Sequence, residues 1–311
     1  MSILNPSSRG AKRRASSEIK PAMLEAAAEL IHREGLTVSL QHISMDGLAS
    51  LAGISRSAVY RAWPNREDFF DELLLKLCYE PESHPMVFDG DTLNQALQEL
   101  KDQLSDDPDV LSTAKGRKMV MVEMCRRGAT ANYENLVAHT AWRTWIALAA
   151  TTMSYSEPMK SRLQSAIAET EGAYVNNMAA FYQVLGDVLG RRILPQFRSD
   201  SESGRHEYAY LAATGSATME GIVLRSANFP AQGTGTTPDV SEPASDADPF
   251  ETGKTGNWNA AAIAFTGTFM AMTEPVEGFE YSREKLDKQI SDVEEFVRAM
   301  AAEATINASP K

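Results

Sequence analysis

The most informative residues form a short motif defined by residue size at three fixed positions. In residues 48–62, LASLAGISRSAVYRA, the small residue Ala49 is followed by Gly53 four positions later and by Val59 ten positions later. Two helices can cross closely at a small residue, and glycine readily adopts the positive φ with which a chain leaves a helix. Val59 would fill the angle between the helices, and Ser55 is a residue type that caps helices. The spacing predicts a helix-turn-helix, whose second helix can enter the DNA major groove with its N-terminal residues at base edges.

Residues on either side of the motif indicate where its helices start and end. Ser44 can cap the first helix, and Pro64 ends the second. Asn65 can cap a third helix, in which Asp68 stands at the third position as a capping-box variant. Asn65 and Arg66 would place backbone N–H groups and a cation at a helix N-terminus, so we expect a phosphate site there.

The charge of the chain is unevenly distributed. The 311 residues carry a formal net charge of −12, which taken alone argues against a polyanionic partner. Residues 1–66, however, hold nine basic and five acidic side chains, whereas residues 67–311 hold 21 basic and 37 acidic ones. This asymmetry is typical of a small nucleic-acid-binding head joined to an acidic body. The alternative is that the basic cluster in residues 9–14 is only a solubilising tail.

The elements that position the motif are predicted to be helices, because helical periodicity dominates and strand patterns are nearly absent. The expected helices span residues 18–34, 44–52, 56–62, 66–79, 91–105, 112–127, 133–152, 158–190, 205–227, 258–273 and 282–304. Residues 228–257 contain four prolines, four glycines and five acidic residues, so we expect a flexible loop there. A regulatory segment is the alternative.

Several classes of protein are disfavoured by composition. Two cysteines exclude a disulfide framework, and neither a secretion signal nor a membrane-spanning apolar run is present, which favours a cytoplasmic protein. The five histidines are scattered, and no Gly-rich phosphate loop, HExxH motif or nucleophile elbow occurs, so no cofactor, metal or catalytic residue is expected. A helical enzyme remains the less favoured alternative. A helical interaction protein whose head binds a protein partner is another.

The N-terminal sequence resembles a known family. AMLEAAAELIHREG followed by SMDGLASLAGISRSAVYRAWPNREDFFDELL is similar to the DNA-binding domain of tetracycline-repressor (TetR) family regulators. The resemblance covers about residues 17–79 and implies an all-α protein with a three-helix head. It also implies a larger C-terminal domain, residues 80–311, that binds a small effector and forms a homodimer. Residues 1–16 would be a disordered basic arm.

The resemblance also implies roles for individual residues toward a double-stranded, palindromic DNA operator. The recognition helix would start at Ser55, Arg56, Ser57 and Ala58, with Arg56 and Ser57 facing bases. Tyr60 and Arg61 would face the backbone or a flanking base, while Ser44 and Arg66 would hold phosphates. Arg13 and Arg14 would reach an adjacent groove. The sequence departs from the family pattern in a longer segment between Gly35 and Ser44, and in Gly47 inside a helix.

Later helices contain candidate dimer and ligand residues. Small residues on shared helical faces suggest a homodimer interface formed by Leu211, Gly215, Thr218, Ile222, Ala264, Gly267, Thr268 and Ala271. Aromatic and methionine side chains suit a planar apolar effector and suggest a pocket formed by Met121, Met124, Trp142, Trp145, Tyr174, Met178, Phe181 and Tyr182. Both sets could instead be intramolecular core. The prediction is a ligand-responsive DNA-binding regulator, by family analogy a repressor.

Overall fold

Helices make up most of the computed structural model, which describes residues 16–37, 40, 43–80, 90–200, 204–228, 240 and 242–307. In chain order the α-helices in these residues are α1 (Ser16–Glu34), α2 (Met45–Leu51), α3 (Arg56–Ala62), α4 (Arg66–Tyr79), α5 (Gly90–Asp106), α6 (Ala114–Ala138), α7 (Thr140–Ser154), α8 (Met159–Leu189), α9 (Ala209–Asn228), α10 (Ala260–Met272) and α11 (Arg283–Asn307). The predicted all-α class is confirmed. None of these helices combines the length and apolarity that crossing a membrane requires.

Short strands form two separate antiparallel pairs in the described part of the chain. β1 (Arg191–Ile193) pairs with β4 (Thr273–Pro275), and β2 (Ala244–Ala247) pairs with β3 (Gly256–Trp258). Each strand is only three or four residues long, so the pairs fix connections between helices and do not form a layer of their own.

The chain divides into two compact units. Unit 1 comprises α1 to α4, α7 and residues 159–170 of α8, whereas unit 2 comprises α5, α6, residues 171–189 of α8, α9 to α11 and both strand pairs. Unit 1 therefore extends beyond the predicted head of residues 17–79. The reason is an apolar face on α7 that packs against α1, because Trp145 and Leu148 join the same buried cluster as Met23 and Ile31.

The helix-turn-helix in unit 1 is held by local hydrogen bonds of the kind that the sequence predicts. Ser44 caps α2 by accepting a hydrogen bond at Oγ from the Gly47 N–H at 3.2 Å. After α2 the chain turns at Gly53, whose φ is +66°. The Gly53 N–H donates to the Ser50 carbonyl, and the next N–H, of Ile54, donates to the Ala49 carbonyl at 2.8 Å. These two bonds form a Schellman motif, which satisfies carbonyls that the helix end would leave unpaired.

The predicted loop at residues 228–257 is only partly irregular. Residues 229–239 and 241 lie outside the described residues, but β2 and β3 form a hairpin in the remainder. Asp248 holds its turn by accepting hydrogen bonds from the Thr252 and Gly253 N–H groups at 2.9 and 2.7 Å, which lower the pKa of its carboxyl. Trp258 is fully buried and packs against Phe250. The composition suggested a flexible loop because it does not show this buried anchor.

Replacing Gly53 with alanine tests the turn between α2 and α3. A Cβ at this position meets no atom within 4 Å, so the cost comes from the left-handed backbone alone. We expect Gly53→Ala to lower the free energy of unfolding by about 1–2 kcal/mol in urea denaturation followed by circular dichroism. Gly47→Ala is the matched control, because Gly47 lies inside α2 and the change there should be neutral or stabilising. Equal stability of Gly53→Ala and the native chain would contradict the assignment.

Candidate nucleic-acid interface and internal cavity

α3 presents a polar, positively charged face to the solvent. Arg56, Ser57, Tyr60 and Arg61 are all exposed, and half of the Tyr60 surface is accessible. Val59 is buried in the core of unit 1. The helix contains no acidic residue. The structure therefore places four of the predicted DNA contacts on one accessible surface.

The hydroxyl groups at the starts of α2 and α3 behave differently. Ser44 is exposed, although its oxygen is engaged in the cap of α2. Ser55 occupies the N-cap of α3, but its side chain makes no capping hydrogen bond. Its Oγ lies 3.3 Å from the Oγ of Ser57 instead, so the predicted side-chain cap is not formed. Ala58 is partly buried.

Arg56 forms an ion pair that the sequence analysis did not anticipate. Its Nη2 lies 2.6 Å from Oδ2 of Asp46 in α2, while 72% of the arginine side chain stays exposed. An exposed pair of this kind contributes little to stability, about 0–1 kcal/mol. Its effect is on geometry, because one edge of the guanidinium is held beside α2 while the rest of the group faces solvent.

Arg66 is engaged inside unit 1 and does not simply project toward solvent. Its Nη2 donates to the carbonyl oxygens of Leu40 and Ile43 at 3.3 and 3.0 Å, and its guanidinium lies 4.9 Å from the centre of the Phe70 ring. These carbonyls belong to the long connection between α1 and α2. Arg66 therefore links Leu40 and Ile43 to the start of α4, while the residue stays exposed and its phosphate contact stays a prediction.

The structure gives less support to the other DNA contacts predicted outside α2 and α3, which involve Asn65, Arg13 and Arg14. Asn65 is the N-cap of α4 without a capping hydrogen bond, and its Nδ2 donates to Oδ2 of Asp68 at 3.2 Å. Asp68 and Glu67 already place two carboxylates in the first turn of α4. The helix dipole stabilises negative charge at this end of α4. The same negative charge repels phosphate, which weakens the predicted anion site. Arg13 and Arg14 lie outside the described residues.

Aromatic packing under α3 fixes its orientation. Trp63 follows α3 directly, is fully buried and meets Phe69 of α4 edge to face, with ring centres 5.1 Å apart. The Lys20 ammonium of α1 lies 5.1 Å from the centre of the Trp63 ring. Trp63 thus connects α1, α3 and α4, so it acts as a core residue and not as a DNA contact.

Unit 2 encloses a cavity lined by α5, α6, α8, α9 and α10. About 660 Å³ is left empty by protein atoms, counting the part open to solvent. One water takes up roughly 30 Å³ of the liquid, so the space exceeds that of a packing defect. Of the predicted ligand-binding residues, the cavity wall includes Met121, Met124, Met178, Phe181 and Tyr182.

The other three predicted ligand-binding residues lie elsewhere. Trp142 and Trp145 are buried on α7 in unit 1, and Trp145 belongs to the core of that unit. Their spacing of three does place them on one helical face, as predicted, but that face does not line the cavity. Tyr174 lies on α8, where its hydroxyl oxygen is buried, and it is not among the residues that line the cavity. These three residues are therefore not part of this cavity wall.

Sequence reasoning missed the other fourteen residues of the wall. The missed residues repeat with helical spacing, and they are Thr92, Leu93, Ala96, Cys125, Gly128, Ala129, Asn132, Leu185, Leu189, Gly215, Ser216, Met219, Phe265 and Phe269. The four-residue steps from Met121 to Cys125 and from Phe265 to Phe269 could have identified two faces. Asp46, the partner of Arg56, offered no comparable signal.

A small polar cluster borders the cavity at Ser216. Ser216 lies on the wall, and the side chains of Tyr174 and Glu220 are its neighbours. Burial raises the pKa of Glu220 to about 7, and the negative charge of Glu171 adds to the rise, whereas the Ser216 side chain opposes it. Burial also raises the pKa of Tyr174 well above its ordinary value. Glu220 is thus protonated in part at neutral pH.

α9 and α10 pack against each other and leave apolar surface uncovered. On α9 the uncovered face contains Tyr210, Ala217 and Leu224, whereas Leu211 and Gly215, predicted for a dimer interface, are buried. Gly215 faces Phe265, which a Cβ would approach to 2.9 Å. The other candidates are partly or fully accessible: Thr218, Ile222, Ala264, Gly267, Thr268 and Ala271. Leu211 and Gly215 are therefore corrected as interface residues.

A helix-turn-helix with an exposed cationic recognition helix, followed by a larger helical region, defines a DNA-binding transcriptional regulator. Residues 23–73 match the family model described as bacterial regulatory proteins, tetR family. These residues are therefore similar to the N-terminal DNA-binding domain of tetR-family regulators. No curated protein and no solved structure matches the chain.

The buried carboxyl of Glu220 predicts a pH-dependent stability. Because its pKa is about 7 in the folded chain and the ordinary value is 4.5, the folded state retains a proton that the unfolded state releases. Stability should therefore fall between about pH 5 and 7, by roughly 1 kcal/mol per pH unit. Glu220→Gln should remove this decline in melting curves, and the same change at the exposed Glu134 should not. Parallel profiles of stability against pH for the native and Glu220→Gln proteins would contradict this role of Glu220.

Proposed function

We propose that the protein is a transcriptional repressor that binds a palindromic operator as a homodimer and is released by a small molecule bound in unit 2. The observation that carries operator binding is the exposed face of α3, which is cationic, free of acidic residues and part of a tetR-type domain. We also propose that it acts in the cytoplasm, where bacterial DNA is found.

The roles of the exposed residues follow from their chemistry. Arg56 and Ser57 lie at the start of α3, the end that reaches base edges when such a helix enters the major groove. The guanidinium of Arg56 can bind guanine O6 and N7 together. Tyr60 and Arg61, one turn later, suit phosphate or a flanking base. Contacts from Ser44 at the start of α2, and from Arg13 and Arg14, stay predictions.

The ion pair between Arg56 and Asp46 has to be compatible with DNA binding by Arg56. A guanidinium carries five N–H donors, and Asp46 engages one terminal nitrogen, so base contact and the ion pair are compatible in principle. The Asp46 carboxylate would repel nearby phosphates, which penalises nonspecific placement of α3 on the DNA backbone. The pair thus favours base contact by Arg56 over a loose phosphate contact.

Homodimer formation is proposed on two grounds. A single seven-residue helix contacts few base pairs, and helix-turn-helix proteins gain specificity as two-fold dimers that read half-sites about 34–36 Å apart. The uncovered apolar face of α9, with Tyr210, Ala217 and Leu224, gives unit 2 a surface suited to an identical partner helix. The accessible small residues of α10 extend it.

Regulation by a small molecule rests on the cavity of unit 2. α8 contributes Met178, Phe181 and Tyr182 to the cavity wall, while its first residues, 159–170, belong to unit 1. A ligand that fits the cavity in one conformation better than in another would shift the population of conformations, and with it the affinity for the operator.

Replacing Arg56 with alanine tests the assignment of α3. A duplex selected from random sequences for binding to the native protein serves as the operator. We expect Arg56→Ala to weaken its binding about 5- to 150-fold, the equivalent of roughly 1–3 kcal/mol for a lost guanine contact. Fluorescence anisotropy at fixed salt concentration measures this.

The control for this experiment is Arg143→Ala, which removes the same charge from an exposed position on α7. Its effect on operator binding should stay within about twofold. Equal binding by the native protein and Arg56→Ala, or equal losses in both variants, would refute the role of Arg56.

Placing a charge on the uncovered face of α9 tests the dimer. Ala217→Arg should convert a dimer into a monomer in light scattering, because an arginine at the centre of a symmetric apolar contact faces its own copy. Ala173→Arg, at an exposed position on α8 in unit 2, is the matched control and should leave the dimer intact. A dimer that persists in Ala217→Arg would place the interface elsewhere.

A further inference from the structure

The cavity wall in unit 2 contains no charged side chain among its lining residues, all of which the structure describes. Its polar atoms come from Thr92, Asn132, Ser216, Cys125 and Tyr182, which are neutral residue types or weak acids. Every other side chain on the wall is aliphatic, aromatic or methionine. The chemistry of the wall therefore indicates which class of ligand the cavity can bind.

The weakly acidic groups on this wall also stay neutral at physiological pH. Burial raises the pKa of the Cys125 thiol to about 12 and raises that of the Tyr182 hydroxyl well above its ordinary value. Glu220 is a neighbour of Ser216 but is not itself on the wall. Neither a thiolate nor a phenolate is thus available to pair with a cation inside the cavity.

Strong charges on two helices that line the cavity, α5 and α6, are paired with each other. Glu123 on α6 is fully buried and accepts hydrogen bonds from Nε and Nη2 of Arg126 at 3.1 and 2.6 Å. Arg127 binds Glu99 and Asp102 at 3.1 and 2.8 Å. Arg191, whose charge acts on the Cys125 thiol, donates from Nε and Nη2 to Oγ1 and the carbonyl oxygen of Thr273 at 2.9 and 2.7 Å. A ligand carrying a charge would lose its hydration in the cavity without meeting an opposite charge on the wall, which costs several kcal/mol.

The aromatic rings on the wall favour a ring on the ligand. Tyr182 stands between Phe265 and Phe269, with ring centres 5.7 and 6.0 Å away and interplanar angles of 48° and 85°. Rings tilted in this way can offer both faces and edges to a further aromatic ring. Methionines such as Met121 and Met178 adapt to its outline.

One part of the wall can orient such a ligand. Asn132 lies one helical turn beyond Gly128 on α6, and the Thr92 carbonyl on α5 lies 3.9 Å from where a Gly128 Cβ would stand. Asn132 and Thr92 are therefore at the same end of the cavity. The amide of Asn132 can both donate and accept hydrogen bonds, so this end suits a carbonyl or hydroxyl group.

We infer that the cavity binds an uncharged, largely apolar molecule that contains an aromatic ring and one carbonyl or hydroxyl group, with the polar group at Asn132. The identification of this molecule as an effector rests on the proposed function. Its class does not, because the wall alone determines which charge and shape can bind.

Three probes of matched size test the charge of the ligand: 2-naphthalenemethanol, 2-naphthoate and 2-naphthylmethylammonium. At pH 7 these carry zero, negative and positive charge. Isothermal calorimetry and melting curves on the full chain should show that the alcohol binds at least about tenfold more tightly than either ion, which corresponds to about 1.4 kcal/mol. Equal or tighter binding of an ion, or no binding of the alcohol at millimolar concentration, would overturn the inference.

Two variants connect this binding to the cavity. Ala129→Leu fills the wall and should abolish alcohol binding, whereas Ala138→Leu, at an exposed position on the same helix, should not. If Ala129→Leu does not fold, Phe265→Ala replaces it and should weaken binding about tenfold by removing a ring contact. Alcohol binding unchanged in the folded cavity variant would overturn the inference.

A further variant tests orientation, and a DNA measurement separates the two proposals. Asn132→Leu should lower the preference for 2-naphthalenemethanol over 2-methylnaphthalene, and an unchanged preference would refute the role of Asn132. Probe binding is measured without DNA, so its failure leaves operator binding by Arg56 unaffected. Tight alcohol binding in a protein that keeps its operator would uphold the ligand class and overturn regulation by the cavity.

Discussion

A helix of seven residues is not stable alone in water, so α3 depends on the residues it buries. Val59 and the adjoining Trp63 supply that burial against α1 and α4, and each large apolar side chain contributes about 1.5–3 kcal/mol when fully buried. The polar side chains of α3 add little to this anchoring. They are consequently available to contact another molecule, and the rest of unit 1 serves to hold them in place.

The sequence predicts best those features that depend on neighbouring residues. The ends of α3 and α4 fall where Pro64 and the spacing indicated, and Ser44 and Gly53 form the predicted cap and turn. These signals are local, because a cap or a positive φ is determined within a few residues. Local signals do not indicate what the motif does. The resemblance of residues 17–79 to a family supplied that expectation, which is DNA binding.

Contacts between distant residues could not be predicted in the same way. Helical spacing correctly places Trp142 and Trp145 on one face, but it does not reveal that this face packs inside unit 1. The sequence likewise shows that Arg66 is charged, but it does not show the partners of this side chain. These partners are backbone carbonyls in the long connection between α1 and α2, which need a hydrogen-bond donor. The hairpin ending at Trp258 depends on a buried indole in a segment whose composition is otherwise that of a loop.

The distribution of tryptophan has a spectroscopic consequence. Trp63, Trp142 and Trp145 all belong to unit 1, and the fourth tryptophan, Trp258, packs against Phe250 and does not line the cavity. Intrinsic emission from this protein therefore originates mainly in the unit that carries α3. A small molecule that changes the emission without absorbing the light itself would be reporting a rearrangement around these indoles, and not direct contact with them in the cavity.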